Sequence, residues 1–178
     1  MSLLPKFSSA LALSVPLVSL VAVQSVDAAI YMKFGDIKGE STDSNHIEWA
    51  DIESFSWGIA CEPTSPTGGG GTTVKPLVIT KRIDKSSPLL MLSCGTGQPI
   101  PEVTLELEDP SRNGGDSYYK ITFEDVIVSS FQSGPTDGDS LPTESVSFNY
   151  TKITWTYYPA DGSPPVEVTR DFNPDPVQ

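Results

Sequence analysis

Four groups of residues in this sequence are of types that bind ions or phosphate, form cross-links or take part in catalysis. His46 is the only histidine and precedes Glu48, Asp51 and Glu53, a combination that occurs in metal sites and around general bases. The other groups are a glycine run, two aspartates and the two cysteines: Gly68, Gly69, Gly70 and Gly71; Asp137 and Asp139; Cys61 and Cys94. These types correspond to phosphate binding, calcium binding and a disulfide, respectively.

The spacing around these residues argues against enzymatic chemistry. No second histidine or cysteine stands at metal-ligand spacing from His46 and no nucleophile motif accompanies it, so we expect a structural histidine. The glycine run lacks the Lys-Ser/Thr pair of a phosphate loop, and the aspartates lack the spacing and closing glutamate of an EF-hand. The sequence therefore predicts no catalytic residue, no cofactor and no metal.

Alternating apolar residues predict that β-strands position these groups. The alternating runs cover residues 30–34, 52–57, 77–83, 103–107, 119–128, 146–157 and 166–172. In two of these runs the apolar residues change parity, near Glu124-Asp125 and between Tyr150 and Ile153. A regular strand cannot change the face of its side chains in this way, so we expect two long strands, each with a bulge or a bend.

One segment has the signals of a short helix. Ser86 or Ser87 can cap it, Pro88 suits its first position, and Gly95 with Gly97 can end it. The remainder reads as about seven to nine strands separated by Gly and Pro turns. The sequence therefore predicts a mainly β protein, a bent antiparallel β-barrel with one short α-helix.

The first 28 residues have the features of a secretory signal peptide. Lys6 precedes an apolar run over residues 10–23, and Val26-Asp27-Ala28 fits a small-residue cleavage site. The run, interrupted by Pro16, is short for a membrane-spanning helix. The alternatives are a retained anchor and a start at Met32. We therefore expect a signal peptide at residues 1–28 and one domain at residues 29–178.

The composition limits the partners of that domain. Its formal charge is −12 with or without the signal, because residues 1–28 contain one Lys and one Asp. Phosphate binding needs clustered Lys and Arg, whereas eleven basic residues are scattered here among twenty-three acidic ones. We expect no nucleic-acid partner, and no membrane contact after signal cleavage. A domain of this size folds without a metal or a disulfide framework.

Three blocks of residues match the pattern of a known family. The first is K-G-E-S-x-D-x-x-H over residues 38–46, followed by S-W-G at 56–58; the second is T-K-x-I-D-K-S-x-P over 80–88; the third begins with E-S-V-S-F-N-Y at 144–150. They resemble the Hcp family, whose members form the stacked rings of the type VI secretion tube. The blocks follow the family's order and extend over most of residues 30–172.

The resemblance implies a structural function without catalysis. It implies a homo-hexameric ring, rings that stack into a tube, and a tube tip or secreted cargo as further partners. In the family, the segment that corresponds to the glycine run is a loop that reaches toward the neighbouring ring. By resemblance, Gly68, Gly69, Gly70 and Gly71 are expected at an assembly contact.

The export signal departs from the family pattern, because Hcp subunits assemble in the cytoplasm and are expelled by a contracting sheath. Two classes of function therefore remain open. One is a ring-forming or tube-forming structural protein, and the other is a secreted monomeric β-barrel binding module that no longer assembles. With cleavage of the signal, both would be secreted, in an extracellular or periplasmic location.

Export would also place Cys61 and Cys94 where a disulfide can persist. A bridge would enclose a loop of about thirty residues and stabilise the fold by about 3–4 kcal/mol through the unfolded chain. Hcp proteins often have a cysteine at the position of Cys94 without a partner near Cys61, which implies a buried apolar thiol instead. The sequence leaves both alternatives open.

Overall fold

The computed structural model describes residues 28–62, 71–112, 116–134 and 142–172. Within these residues the chain forms eight strands and one helix. The elements are β1 Ala29–Phe34, β2 Ala50–Glu62, β3 Gly71–Arg82, α1 Ser87–Thr96, β4 Ile100–Glu108, β5 Ser117–Gly134, β6 Thr143–Asn149, β7 Lys152–Tyr157 and β8 Val166–Asp171. The mainly β class with one short helix is confirmed.

Six of the strands close into a barrel. The order is β4-β1-β2-β3-β6-β5, and pairing between β4 and β5 closes the sheet. Every neighbouring pair is antiparallel. β7 and β8 lie outside this circle, because β7 pairs with the first half of β5 and β8 pairs with β7. The predicted bent antiparallel barrel is therefore confirmed, with two strands added to it.

The bend in β5 lies where the parity of its apolar residues changes. Asp125 has a positive φ of 53°, a conformation that few residues other than glycine adopt. Before this point β5 pairs with β7, and beyond it β5 pairs with β6. Thr151 supports the bend, because its backbone N–H donates to Glu124 O at 3.2 Å and its hydroxyl donates to Asp125 Oδ2 at 3.0 Å. The predicted irregularity near Glu124-Asp125 is confirmed.

The prediction of a second long, bent strand is wrong. Residues 146–157 form two separate strands, β6 and β7, rather than one. The chain leaves the sheet at Tyr150 and Thr151, and β6 and β7 then pair with different halves of β5. The change of parity in the sequence marks this break between two strands. A bulge within one strand would have given much the same pattern.

The barrel interior is filled by alternate residues of each strand, with the change of parity at the bend in β5. Facing strands place Met32 against Leu105 and Phe34 against Val103, and all four are fully buried. The Phe34 ring also stacks on the Phe148 ring with centroids 5.7 Å apart. Each such side chain contributes about 1.5–3 kcal/mol by leaving water. The other parity faces outward, so Tyr31, Glu106 and Glu108 lie on the outer surface of the sheet.

Helix α1 begins and ends at the predicted signals. Ser86 is its N-cap residue, Pro88 lies in its first turn, and Gly97 ends it with a left-handed φ of 68°. Leu90 is buried against the barrel, whereas Leu89, Met91 and Leu92 are exposed. Among the described residues, no helix has both the length and the apolar character that a membrane crossing needs.

Candidate functional site

The loop between β1 and β2 folds back onto itself and places His46 against the outer face of the barrel. Gly39 N–H donates to Glu48 O at 2.7 Å, and Ser41 N–H donates to Trp49 O at 2.8 Å. A Cβ on Gly39 would lie 2.3 Å from Trp49 O, so this approach of the two chain segments requires glycine. The result is a closed loop with His46 on its inner side, 1% exposed.

Asp43 organises the turn that precedes the histidine. Its Oδ1 accepts the backbone N–H of Asn45 at 2.9 Å and that of His46 at 3.1 Å. The same oxygen lies 3.0 Å from His46 Nδ1. This arrangement is an Asx turn, in which the aspartate side chain replaces a backbone acceptor. The two backbone hydrogen bonds alone hold the carboxylate beside the imidazole ring.

Strand β4 supplies two further carboxylates to the same ring. Glu106 Oε2 lies 3.0 Å from His46 Nε2, and Glu108 Oε1 lies 3.1 Å from His46 Nδ1. The Tyr31 ring stacks on the imidazole at 4.2 Å with an interplanar angle of 8°, and the Trp49 ring meets it edge-on at 4.7 Å. We call His46, Asp43, Glu106 and Glu108 the histidine cluster. Every ring nitrogen of this buried histidine therefore faces at least one carboxylate.

Burial and hydrogen bonding act in opposite directions on the carboxylates of the cluster. Burial acts to raise the pKa of Glu106, but hydrogen bonds from His46 and Ser117 outweigh it and the pKa is lowered. At Glu108 burial is the largest effect, and the pKa of this carboxyl is raised. Hydrogen bonds from Asn45 and His46 overcome burial at Asp43 and lower its pKa. The carboxylate of Glu108 is thus the least stabilised charge in the cluster.

A second buried polar group joins β3, β6 and the start of α1. Lys81 is fully buried, and its Nζ lies 2.6 Å from Asp84 Oδ1 and 2.8 Å from Glu144 Oε1. It also donates to Arg82 O at 3.1 Å and to Ser87 Oγ at 3.3 Å. Ser87 Oγ in turn donates to Glu144 Oε1 at 2.9 Å. We call this the lysine network, and its contacts indicate that it holds β3, β6 and the start of α1 together.

The glycines, aspartates and cysteines named from the sequence belong to neither cluster where the structure describes them. Gly68, Gly69 and Gly70 fall outside the described residues, and Gly71 is exposed at the start of β3, paired with Glu62. Asp137 and Asp139, whose spacing does not fit a calcium-binding EF-hand, also fall outside them. In the structure, the Cys61 thiol is free and exposed, and the Cys94 thiol is free and half-buried.

Sequence reasoning missed Glu106 and Glu108 as neighbours of His46. The alternation in β4 identified them correctly as outward-facing, and outward-facing charges are ordinarily solvated. The sequence has no signal for this contact, because the pairing that places Tyr31 beside Glu106 is known only from the register of β1 and β4.

Strand β8 and helix α1 each have exposed apolar side chains on the described part of the molecule. All six residues of β8 are exposed, including Val166 at 59% and Val168 at 56%. The second surface lies on α1, where Leu92 is 60% exposed. α1 packs against β5, and β8 packs against β7, so the two surfaces are separate.

Comparison with known proteins places this architecture in a family. Residues 31–157 match the family described as "Type VI secretion system effector, Hcp". Protein hcp1 of Pseudomonas aeruginosa is 36% identical over 140 residues, which cover 75% of this chain and 86% of that protein. The major exported protein of the same organism is 30% identical over 132 residues, 68% of this chain and 76% of that protein.

Solved structures agree with the sequence matches. Hcp1 from Salmonella typhimurium superposes with a TM-score of 0.72 at 28% identity, covering 82% of this chain and 95% of that one. A structure described as a type six secretion system protein gives a TM-score of 0.73 at 28% identity, with 82% and 96% coverage. The chain therefore belongs to the Hcp family, the tube proteins of type VI secretion.

Proposed function

We propose that this chain is exported through the signal at residues 1–28 and that residues 29–178 then form homo-hexameric rings that stack into a tube outside the cytoplasm. The observation that carries the assembly part is the exposed strand β8. It ends the sheet order, and a sheet edge has unpaired backbone groups that invite pairing with another chain.

The side chains of β8 support its role as one half of a subunit contact. Val166 and Val168 are both more than half exposed, and exposed apolar groups on a sheet edge commonly mark an interface. Burying such a side chain contributes about 1.5–3 kcal/mol. A contact that covers β8 would therefore stabilise the assembly.

The apolar surface of α1 supplies a second, different contact area. An interface between unlike surfaces is head-to-tail, and such interfaces form a closed ring when the rotation between subunits closes. Two separate apolar areas on one chain therefore fit a ring better than an isolated dimer. The hexameric number comes from the family.

The β2–β3 hairpin supports a stacking role for the glycine run. β2 and β3 stay paired from the barrel to Glu62 and Gly71, while β6 pairs with β3 only from residue 77 onward. Residues 58–62 and 71–75 thus form a two-stranded arm beyond the barrel wall. We propose that Gly68, Gly69, Gly70 and Gly71, of which the described residues include only Gly71 at the start of β3, contact the neighbouring ring.

A charge placed on β8 tests the ring. We expect Val168→Glu to give folded monomers in size-exclusion chromatography with light scattering, because the added carboxylate would be buried in the contact. Ser54→Glu adds the same charge at an exposed polar position of β2 and should leave the oligomer intact. Negative-stain images should show rings for the unmodified protein.

The alternative function, a monomeric secreted binding module, predicts a different result. The unmodified protein would then elute as a monomer over a wide concentration range, and images would contain no rings. Shortening the glycine run separates stacking from ring formation, since we expect intact rings that stack less. A shortened protein that stacks as well as the original would contradict the proposed role of the arm.

Export is tested by the mass of the protein taken from native cells. We expect the chain to begin at Ala29. A mass that includes Met1 would contradict cleavage and would indicate the usual cytoplasmic assembly route of the family. A tube tip and secreted cargo are the further partners that this proposal includes.

A further inference from the structure

We propose that the histidine cluster binds a divalent cation of the Zn²⁺ type, with His46 Nδ1, Asp43 Oδ1 and Glu108 Oε1 as ligands. One donor atom from each of the three residues lies within 4.8 Å of the other two, and His46 Nδ1 lies 3.0 Å from Asp43 Oδ1 and 3.1 Å from Glu108 Oε1. The donors are one nitrogen and two oxygens, a donor set that suits Zn²⁺ and similar metals better than Ca²⁺ or Mg²⁺.

Glu106 determines which ring nitrogen is available to a metal. Its Oε2 lies 3.0 Å from His46 Nε2 and also accepts the Ser117 hydroxyl at 2.8 Å. A carboxylate at this position accepts the Nε2–H, which leaves the lone pair on Nδ1. The pairing of a carboxylate with the distal N–H of a histidine is the usual support of a metal-binding imidazole.

The arrangement around Nδ1 requires a positively charged occupant. With the proton on Nε2, the Nδ1 lone pair faces Asp43 Oδ1 at 3.0 Å and Glu108 Oε1 at 3.1 Å, and three lone pairs converge. A proton on Nδ1 would be shared between two carboxylate oxygens at almost equal distances. A metal ion bound by all three atoms would relieve them together.

Glu108 provides an independent observation that favours the metal. The residue is 6% exposed, and its Oε1 has no hydrogen-bond partner. A buried carboxylate oxygen without a partner costs folding free energy. Because this oxygen is directed at Nδ1, a cation there would satisfy it. Its position is therefore accounted for by a ligand role.

The distances and the charge of the cluster agree with this assignment. A tetrahedral zinc with bonds of about 2.0–2.1 Å separates neighbouring ligand atoms by about 3.3 Å, close to the observed 3.0 and 3.1 Å. Three carboxylates with one nearby ammonium, Lys120, leave a formal charge of −2 around a neutral imidazole. A divalent cation balances that charge.

The cluster is held in place and open at one side. The flat stack of Tyr31 on the imidazole and the edge contact of Trp49 fix the plane of the ring. The two backbone donors to Asp43 Oδ1 fix that carboxylate. The Asp43 side chain is 27% exposed, so a cation and its fourth ligand, a water molecule, can enter from this side.

Chain spacing did not reveal this site, because its ligands are brought together by the fold. The ligand Glu108 belongs to β4, whereas His46 lies in the loop between β1 and β2. The expectation of no metal depended on finding a second histidine or cysteine near His46. A single imidazole with two carboxylates from separate elements leaves no such pattern in a sequence.

The test is a calorimetric titration of the untagged protein with Zn²⁺. A polyhistidine tag is avoided because His46 is the only histidine of the chain. All samples have Cys61→Ser, because an exposed thiol also binds zinc. We expect one saturable site, a rise in melting temperature with zinc, and affinity about 10- to 100-fold weaker in Glu106→Gln, which removes only the supporting carboxylate.

Glu108→Gln should lose more affinity than Glu106→Gln, because it removes a ligand. The matched control is Glu102→Gln, an exposed glutamate on the same face of β4, which should bind zinc as the unmodified protein does. Equal binding by Glu108→Gln would overturn the assignment, as would the absence of saturable binding in the unmodified protein.

Nuclear magnetic resonance of the single imidazole tests the proposal without altering the cluster. With zinc, we expect the Nδ1 resonance to move to the range of a metal-bound nitrogen while Nε2 keeps its proton. If both ring nitrogens remain protonated at saturating zinc, the cluster holds an imidazolium and the proposal is wrong.

Discussion

Replacing Lys81 with methionine tests whether the lysine network stabilises the barrel. Lys81 and Glu144 are direct neighbours in the β3–β6 register, and both have the parity of the buried residues of their strands. Lys81→Met keeps an unbranched side chain of similar length and removes the charge together with the hydrogen bonds of the ammonium group. Glu144, 2% exposed, would then retain one donor, the Ser87 hydroxyl.

The expected cost follows from the groups left behind. Asp84 keeps its bonds from the backbone and hydroxyl of Ser86, so the loss falls mainly on Glu144. Breaking a buried ion pair by removing one partner costs about 3–5 kcal/mol. For a domain of this size that corresponds to a fall in melting temperature of about 6–20 °C. Since domains are stable by about 5–15 kcal/mol, the variant should still fold.

The assay is urea denaturation followed by tryptophan fluorescence, with a double-mutant cycle. Neutralising both partners, in Lys81→Met with Glu144→Gln, should recover stability and give a coupling energy of about 2 kcal/mol. Arg82→Met is the control, because the Arg82–Glu53 pair is exposed at 67% and 41% and should cost at most about 1 kcal/mol. If Lys81→Met costs no more than Arg82→Met, the network does not stabilise the barrel.

Three further predictions concern glycines, a tyrosine and the cysteines. Gly39→Ala should destabilise the protein by about 1–3 kcal/mol or more, because its Cβ would clash with Trp49 O. Gly95→Ala, in α1 with nothing within 4 Å of the added Cβ, should instead stabilise the protein by about 0.5–1 kcal/mol. Denaturant unfolding of the two variants measures both effects. Burial raises the pKa of Tyr150 from 10.0 to about 12, so the stability linked to this phenol is complete below pH 10 and is lost as the pH rises toward 12, because the unfolded chain ionises first. Between pH 10 and 12 the melting temperature of Tyr150→Phe should fall less steeply with pH than that of the unmodified protein. An equally steep fall in both proteins would contradict the role of burial. For the cysteines, thiol counting on denatured, unreduced protein should give two free thiols, and in the native protein Cys61 should react faster than Cys94 because it is more exposed; a count of zero would instead indicate the bridge.

The interior of the barrel was predictable from the sequence because a strand alternates its faces strictly. Phe34, Leu105 and Phe148 are inward-facing as their spacing predicts. The ends of α1 were predictable for a similar local reason, since Pro88 suits the first turn of a helix and Gly97 ends the helix in the left-handed conformation, although Ser86 makes no side-chain cap hydrogen bond. Lys81 shows the limit of this logic. Its parity matches Leu77 and Ile79, yet a lysine in such a position is compatible with burial only because Glu144 and Asp84 pair with it.

Features that depend on contacts between distant segments were not predictable. The break between β6 and β7 gives the same parity change as a bulge, so the pattern alone does not distinguish them. The histidine cluster depends on a loop that folds onto the outer face of β4. Glu106 and Glu108 have the spacing of solvated residues, and nothing in their neighbourhood along the chain indicates that His46 lies above them.

The position of β8 outside the closed barrel has a consequence for how this lineage can diversify. β8 packs only on β7 among the described elements, and the barrel closes through β4 and β5 without it. Substitutions on β8 therefore cost little folding stability, whereas those in the barrel wall are constrained by the core. With the subunit contact on β8 that we propose, two copies of a duplicated gene could alter this strand independently until each accepted only its own kind, while the barrel sequences stayed alike.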